Sequence, residues 1–238
     1  MTPATVVTGG TRGIGLAISR QLLAAGHRVV AIARSLPPEV PKGMQVRCCD
    51  LTREQDLSRT FEAIGPVEVL VNNAGISSSG PLHRTTTQQW TDNLAINATG
   101  AFWCTRAVLP GMLAAGRGRI VTVASTAALQ GAPYVAAYAA SKHAVLGMMR
   151  VLAAEVAGTG VTANTVCPTF VRTDMTADTI ANIAQVTGVS HDDAEHQLTQ
   201  ATPHGRIISP EEVADAVLDL ITGNDNGREI LLDGGPRT

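Results

Sequence analysis

Short apolar, β-branched runs alternate with longer Ala/Leu-rich stretches along most of the chain. The runs ATVVTGG, HRVVAIAR, QVRCCD, VEVLVNNAG, GRIVTVAS, VTANTVCP and REILLDGG read as seven strands, and GLAISRQLLAAG reads as a helix closed by Gly26. Further helices are expected near 52 to 64, 97 to 115, 138 to 157 and 210 to 222. Strands that are apolar on both faces and separated by helices predict a parallel sheet covered on both sides, a doubly wound α/β fold of the Rossmann type with about seven strands. The stretch 175 to 204 breaks this rhythm. It is polar, holds two weakly helical pieces and follows the sixth strand's C-terminal end, so a substrate lid is expected there.

Bulk properties narrow the picture. No Ser/Gly tract, charge run or low-complexity block divides the 238 residues, so residues 1–238 are expected to form a single domain. A formal charge of -2 with scattered Arg residues offers no basic footprint, which excludes nucleic acid as an expected partner. No run of eighteen apolar residues predicts a membrane span, and MTPATVVTGG lacks the features of a secretion signal, so a cytoplasmic location is expected. Cys48, Cys49, Cys104 and Cys167 show no CxxC spacing and no partnering His cluster. They read as buried small hydrophobes, and no metal site is expected.

Two local patterns carry chemistry. In TGGTRGIG, Thr8 to Gly15, a strand runs into a helix through a turn where Gly9, Gly13 and Gly15 allow close approach of backbone to a pyrophosphate. The second strand ends in Ala33 and Arg34, where a carboxylate would mark NAD(H). With Arg12 in the turn, two guanidiniums and no nearby acid point to NADP(H), the alternative being that both are simply solvated. In YAASK, Tyr138 and Lys142 stand one helical turn apart and reach the same space. Taken alone, that spacing is an ordinary surface pair.

Together with Asp50 after the third strand, NNAG at Asn72 to Gly75, Asn97 in a helix and Ser125 closing the fifth strand, these motifs make the chain resemble the short-chain dehydrogenase/reductase family over its whole length. The resemblance implies that Tyr138 is the general acid/base, Lys142 lowers its pKa and binds the nicotinamide ribose, Ser125 orients the substrate carbonyl and Asn97 helps hold a relay water, the alternative for Asn97 being that it only satisfies buried backbone groups. An ammonium about 4 Å from a phenol, at an effective dielectric near 20, would favour phenolate by roughly 4 kcal/mol, about three pKa units before desolvation opposes it. It further implies a cofactor-binding set of Gly9, Thr11, Arg12, Gly13, Ile14, Gly15, Arg34, Asp50, Leu51, Asn73, Ala74, Gly75, Tyr138, Lys142, Pro168, Val171 and Thr173. Within it Asp50 and Leu51 border the adenine, Asn73 to Gly75 line the adenosine side, and Val171 and Thr173 meet the carboxamide. Asn72 is expected to bond between strands. Thr169 stands where the family commonly has Gly, so a positive φ there would strain it.

The function so implied is NADPH-dependent reduction of a ketone to a secondary alcohol, the substrate being a small carbonyl compound, a 3-oxoacyl thioester or a polyketide-type ketone. Apolar Met175, Ile180, Ile183 and Val186 in the lid suit a mid-sized, partly apolar substrate. The alternatives are an NAD-dependent secondary alcohol dehydrogenase and a non-catalytic dinucleotide sensor. A homotetramer or homodimer is implied through the helices at 97 to 115 and 138 to 157, the alternative being that their Ala-rich faces meet only the sheet.

Overall fold

The computed structural model describes residues 2–235; residue 1 and residues 236–238 of the expected unit lie outside the described residues. Seven parallel strands form one sheet in the order β3-β2-β1-β4-β5-β6-β7. They are β1 (Ala4–Thr8), β2 (Val29–Ala33), β3 (Gln45–Cys48), β4 (Val67–Asn72), β5 (Gly118–Val123), β6 (Val161–Pro168) and β7 (Glu229–Leu232). The order reverses between β1 and β4, and in such sheets a crevice opens beyond the strands' C-terminal ends at the reversal.

Successive strand residues feed opposite faces, as a period of two requires. Val7, Val29, Ala31, Val69, Val71 and Val121 pack with Ile18 and Leu22 of α1 (Gly13–Ala24) and with Val213, Val217 and Leu220 of α8 (Pro210–Thr222). Val6, Val30, Leu70 and Ile120 pack on the other side with Leu57 and Phe61 of α2 (Glu54–Ile64), Met112 of α4 (Gly100–Ala115) and Met149 and Leu152 of α5 (Ala136–Glu155). Side chains needed on both faces explain why these strands read as continuous apolar runs.

The helix expected from 97 begins earlier. Thr86 caps α3 (Thr87–Leu94) through a reciprocal capping box with Gln89, and a π-helical segment, Ala95–Thr99, joins α3 to α4. β3 lies at the sheet edge and is mostly exposed, which leaves Cys48 exposed, against the expectation that all four cysteines are buried. The expected lid region contains α6 (Asp174–Thr187) and α7 (His191–Gln200), which share a small core of Ile180, Ala194 and Leu198 packed on Phe170 and Ile207. Among the described residues no helix is long and apolar enough to cross a membrane.

Candidate active site

The glycine turn leaves β1 and enters α1 at the crevice. Gly9 has φ +65, and a Cβ on Gly15 would stand 2.2 Å from the Gly9 carbonyl oxygen and 2.5 Å from Asn73 Nδ2, so the turn is wound too tightly to admit a side chain there. Thr8 fastens this turn to the end of β4: its hydroxyl accepts from the backbone N–H groups of Asn73 and Ala74, both at 3.0 Å. Asn73 Nδ2 donates to the Thr8 carbonyl at 2.9 Å. Thr8 opens the TGGTRGIG motif, but its role as a clamp on the end of β4 is not legible from the motif. Arg12, at the N-cap of α1, leaves the first N–H groups of the helix without a side-chain cap. Such a helix end favours an anion.

Arg12 and Arg34 are both exposed, and neither forms an ion pair among the described residues. The expectation of no acid near them needs one correction. Asp50 lies within electrostatic reach of Arg34, and its carboxyl is held below the usual range chiefly by hydrogen bonds from the Thr52 backbone and hydroxyl, with Arg53 and Arg34 adding to them. The next residue, Leu51, is buried against α4. Ile14 packs on the core beneath the turn, and Thr11 is partly buried within it.

Beyond β4 the crevice changes character. A Cβ on Gly75 would meet Asn97 Oδ1 at 3.1 Å and Lys142 Nζ at 3.6 Å, which sets Gly75 beside the expected catalytic residues. Asn97 lies in the π segment and is 3% exposed. Its Oδ1 accepts from the Ile76 N–H, and its Nδ2 donates to the Ile76 carbonyl and to the Ser141 hydroxyl, each at 2.9 Å. Ser141 in turn donates to the Tyr138 carbonyl at 2.7 Å. With both amide hydrogens committed, the Asn97 carboxamide is a strut between the loop after β4 and α5. Ser141, inside YAASK itself, is a residue that sequence reasoning passed over.

Ser125, Tyr138 and Lys142 meet at the C-terminal end of β5. The Ser125 hydroxyl accepts from the Ala127 N–H at 3.1 Å, capping a 3-10 turn, and hydrogen-bonds the Tyr138 phenol. Lys142 is 5% exposed and donates to the Val123 carbonyl at 3.0 Å, with Nζ 5.7 Å from the centre of the Tyr138 ring. Burial pushes its ammonium down to about 8. Burial also raises the Tyr138 phenol above its ordinary value, the bond from Ser125 opposing this in part. The expected fall of the tyrosine toward neutrality is therefore not met, because desolvation disfavours the phenolate more than its surroundings stabilise it. Cys167 stands behind this group, fully buried, its thiol pushed up to about 11 by burial and so kept neutral beside Lys142.

The remaining expected residues occupy the other side of the crevice. Pro168 ends β6, paired with Leu232 of β7, and Thr169 continues that pairing by donating to the Leu232 carbonyl at 2.8 Å. Tyr134 is the non-glycine residue with positive φ among the described residues, so Thr169 carries no such strain. The Val171 side chain is buried in the core and its carbonyl accepts from Thr176 Oγ1 at 2.6 Å, which leaves Val171 little beyond backbone to offer a ligand. Thr173 stands at the N-cap position of α6 without a side-chain cap, its hydroxyl donating to the Val171 carbonyl at 3.3 Å, and it lies against the glycine turn, 3.3 Å from where a Cβ of Gly13 would be. Asn72 Nδ2 bridges Thr105 of α4 and Thr122 of β5, the structural role expected of it. Ile180 is buried in the lid's own core rather than offered to the crevice.

The family model described as short chain dehydrogenase matches residues 3–184. A protein of Streptomyces coelicolor named as a ketoacyl reductase is 40% identical, across 91% of this chain and 88% of its own. The 3-oxoacyl-[acyl-carrier-protein] reductase MabA of Mycobacterium tuberculosis is 37% identical, across 98% of this chain and 92% of its own. The crystal structure of an actinorhodin polyketide ketoreductase variant with NADPH superimposes with a TM-score of 0.88 at 36% identity, covering 98% of this chain and 97% of that one.

Proposed function

Because the chain belongs to the short-chain dehydrogenase family, we propose that it is an NADPH-dependent oxidoreductase that reduces a ketone, of the 3-oxoacyl or polyketide type, to a secondary alcohol. The observation that carries this reading is the meeting of Ser125, Tyr138 and Lys142 at the end of β5, with the run Asn73 to Gly75 joining them to a glycine turn in which Gly15 has no room for a side chain. Relatives named for ketoacyl and 3-oxoacyl reduction support the substrate class, and the NADPH in the actinorhodin ketoreductase structure supports the cofactor.

The residues present fit the cofactor. The backbone of Gly9 to Gly15 and the uncapped start of α1 suit a pyrophosphate, while Arg12 and Arg34, free of ion pairs among the described residues, suit a 2′-phosphate. When bound, NADPH supplies the hydride that the carbonyl carbon accepts.

Tyr138 gives its proton to the carbonyl oxygen. A phenol whose pKa is raised remains protonated throughout the neutral range, which suits a donor in the reducing direction. Ser125 donates to the same oxygen and steadies the charge that builds there. Lys142, protonated below about pH 8, stabilises the tyrosinate left behind, worth more in this buried setting than in water. Asn97 and Ser141 fix where Tyr138 and Lys142 stand relative to the loop after β4.

Self-association through α4 and α5 completes the proposal. Phe102 and Val151 are 43% and 59% exposed, and a hollow of about 250 Å³ lies between α5 and the π segment with the start of α4, lined by Ala98, Thr99, Phe102, Ala144, Val145 and Met148. A second copy would bury this apolar surface, and sedimentation should give a dimer or tetramer mass. The test of the activity is absorbance loss with NADPH over a panel of 3-oxoacyl thioesters and cyclic ketones, repeated with NADH. Turnover with NADPH and much slower turnover with NADH is the expected result. A panel reduced equally well with NADH would contradict the cofactor assignment.

A further inference from the structure

The loop after β4, ISSSG at Ile76 to Gly80, is gripped at four successive points by four different elements. Ile76 is held through its N–H and carbonyl by Asn97. Ser78 Oγ accepts from Asn93 of α3 at 2.8 Å. Ser79 Oγ accepts from Asn182 Nδ2 of α6 at 3.1 Å. The Gly80 N–H donates at 2.7 Å to the carbonyl of Tyr134, a residue held at a φ of +69. One short loop thus ties the Asn97 strut, the segment leading to Tyr138 and the helix above the crevice.

The lid is fastened at two ends of unequal strength. At its base, Ile180, Ala194 and Leu198 pack on Phe170 and Ile207, and Thr176 Oγ1 bonds the Val171 carbonyl. Away from that base, the side-chain bond that joins α6 to the loop after β4 is Asn182 to Ser79, and among the described residues no other side-chain hydrogen bond ties residues 174–200 to that loop. Loss of this bond leaves the outer turns of α6 held by their own helix hydrogen bonds alone, which then open more often, while the core shared with α7 keeps the base in place.

We propose that Asn182 and Ser79 form a latch that sets how far α6 closes over the reacting carbonyl, and that both are substrate-positioning residues of this enzyme. The proposal rests on the ketone-reduction reading for its kinetic consequence. Its structural consequence is independent of turnover. Loss of one exposed neutral hydrogen bond corresponds to a change of about three- to tenfold in the closed population.

The experiment compares Asn182→Ala, Ser79→Ala, the double variant and Ser79→Thr, each saturated with NADPH, by amide hydrogen exchange over 177–187 and by steady-state kinetics on a ketone the wild type reduces. Expected is exchange about three- to tenfold faster in each alanine variant, a matching rise in KM with kcat within about twofold, no further change in the double variant, and recovery in Ser79→Thr, which keeps the hydroxyl. The absence of a further effect in the double variant is what a mere local loss of stability at two sites would not give. Exchange identical to wild type in both single variants, or effects that multiply in the double variant, would overturn the latch. Should the wild type reduce no ketone, the functional reading fails, while exchange in the NADPH-saturated protein still decides the latch.

Discussion

Replacing Lys142 by Met is expected to stabilise the cofactor-free protein at neutral pH while abolishing its turnover. Burial moves the ammonium from its ordinary 10.5 to about 8. At about 1.4 kcal/mol per pKa unit, this 2.5-unit fall makes the folded state at pH 7 poorer by about 3 kcal/mol than one with an unperturbed lysine. The sign follows from proton binding: between pH 8 and 10.5 the unfolded chain holds the proton and the folded chain does not, so stability climbs with pH through that window and the full cost is present below it. Methionine keeps the apolar stem but loses the bond to the Val123 carbonyl, returning about 1 kcal/mol of the gain. The net of about 2 kcal/mol corresponds to a rise in Tm of about 4–8 °C for a chain of this length. Circular dichroism melts of both proteins at pH 7 and pH 10.5 measure it. The advantage of the variant should be present at the lower pH and gone or reversed at the higher. A variant that melts below wild type at pH 7, or gains equally at both pH values, would refute the reasoning.

Further outcomes follow from the same geometry. For ketone reduction, kcat/KM should be level below pH 8 and fall about tenfold per unit above it as Lys142 loses its proton, while the raised Tyr138 remains a donor; a profile flat to pH 10 would contradict this assignment. Arg34→Ala should raise the KM for NADPH about tenfold or more and leave that for NADH nearly unchanged, read from initial rates with each cofactor, and Arg12→Ala should act in the same direction. Gly15→Ala must displace the Gly9 carbonyl or Asn73, so NADPH affinity by fluorescence titration should fall at least tenfold.

The sheet was legible because its strands are apolar on both faces, a pattern that only a doubly covered sheet requires. β6 occupies the expected span 161–168 and α8 the expected 210–222, the latter because Ser209, Pro210 and Glu212 announce a helix start. The start of α3 was equally announced, by Thr86 and Gln89, but the polar run around it hid a helix with little apolar face. Cys48 escaped because burial at an edge strand depends on strand order, which local pattern does not carry. The Tyr138–Lys142 pairing was readable from spacing, whereas the direction of the tyrosine shift was not: charge attraction can be estimated from i and i+4, but desolvation depends on elements far away in sequence. For the same reason Thr8, Ser141 and Asn182 gave no sign of their partners, which lie 65, 44 and 103 residues distant.

The central claim is that the Tyr138 hydroxyl hands its proton to the substrate oxygen. Tyr138→Phe removes that hydroxyl and keeps the ring. Fluorescence titration should show NADPH affinity within about threefold of wild type, while single-turnover reduction of a 3-oxoacyl thioester slows by at least about a thousandfold. Reduction within tenfold of the wild-type rate by the phenylalanine variant would contradict it.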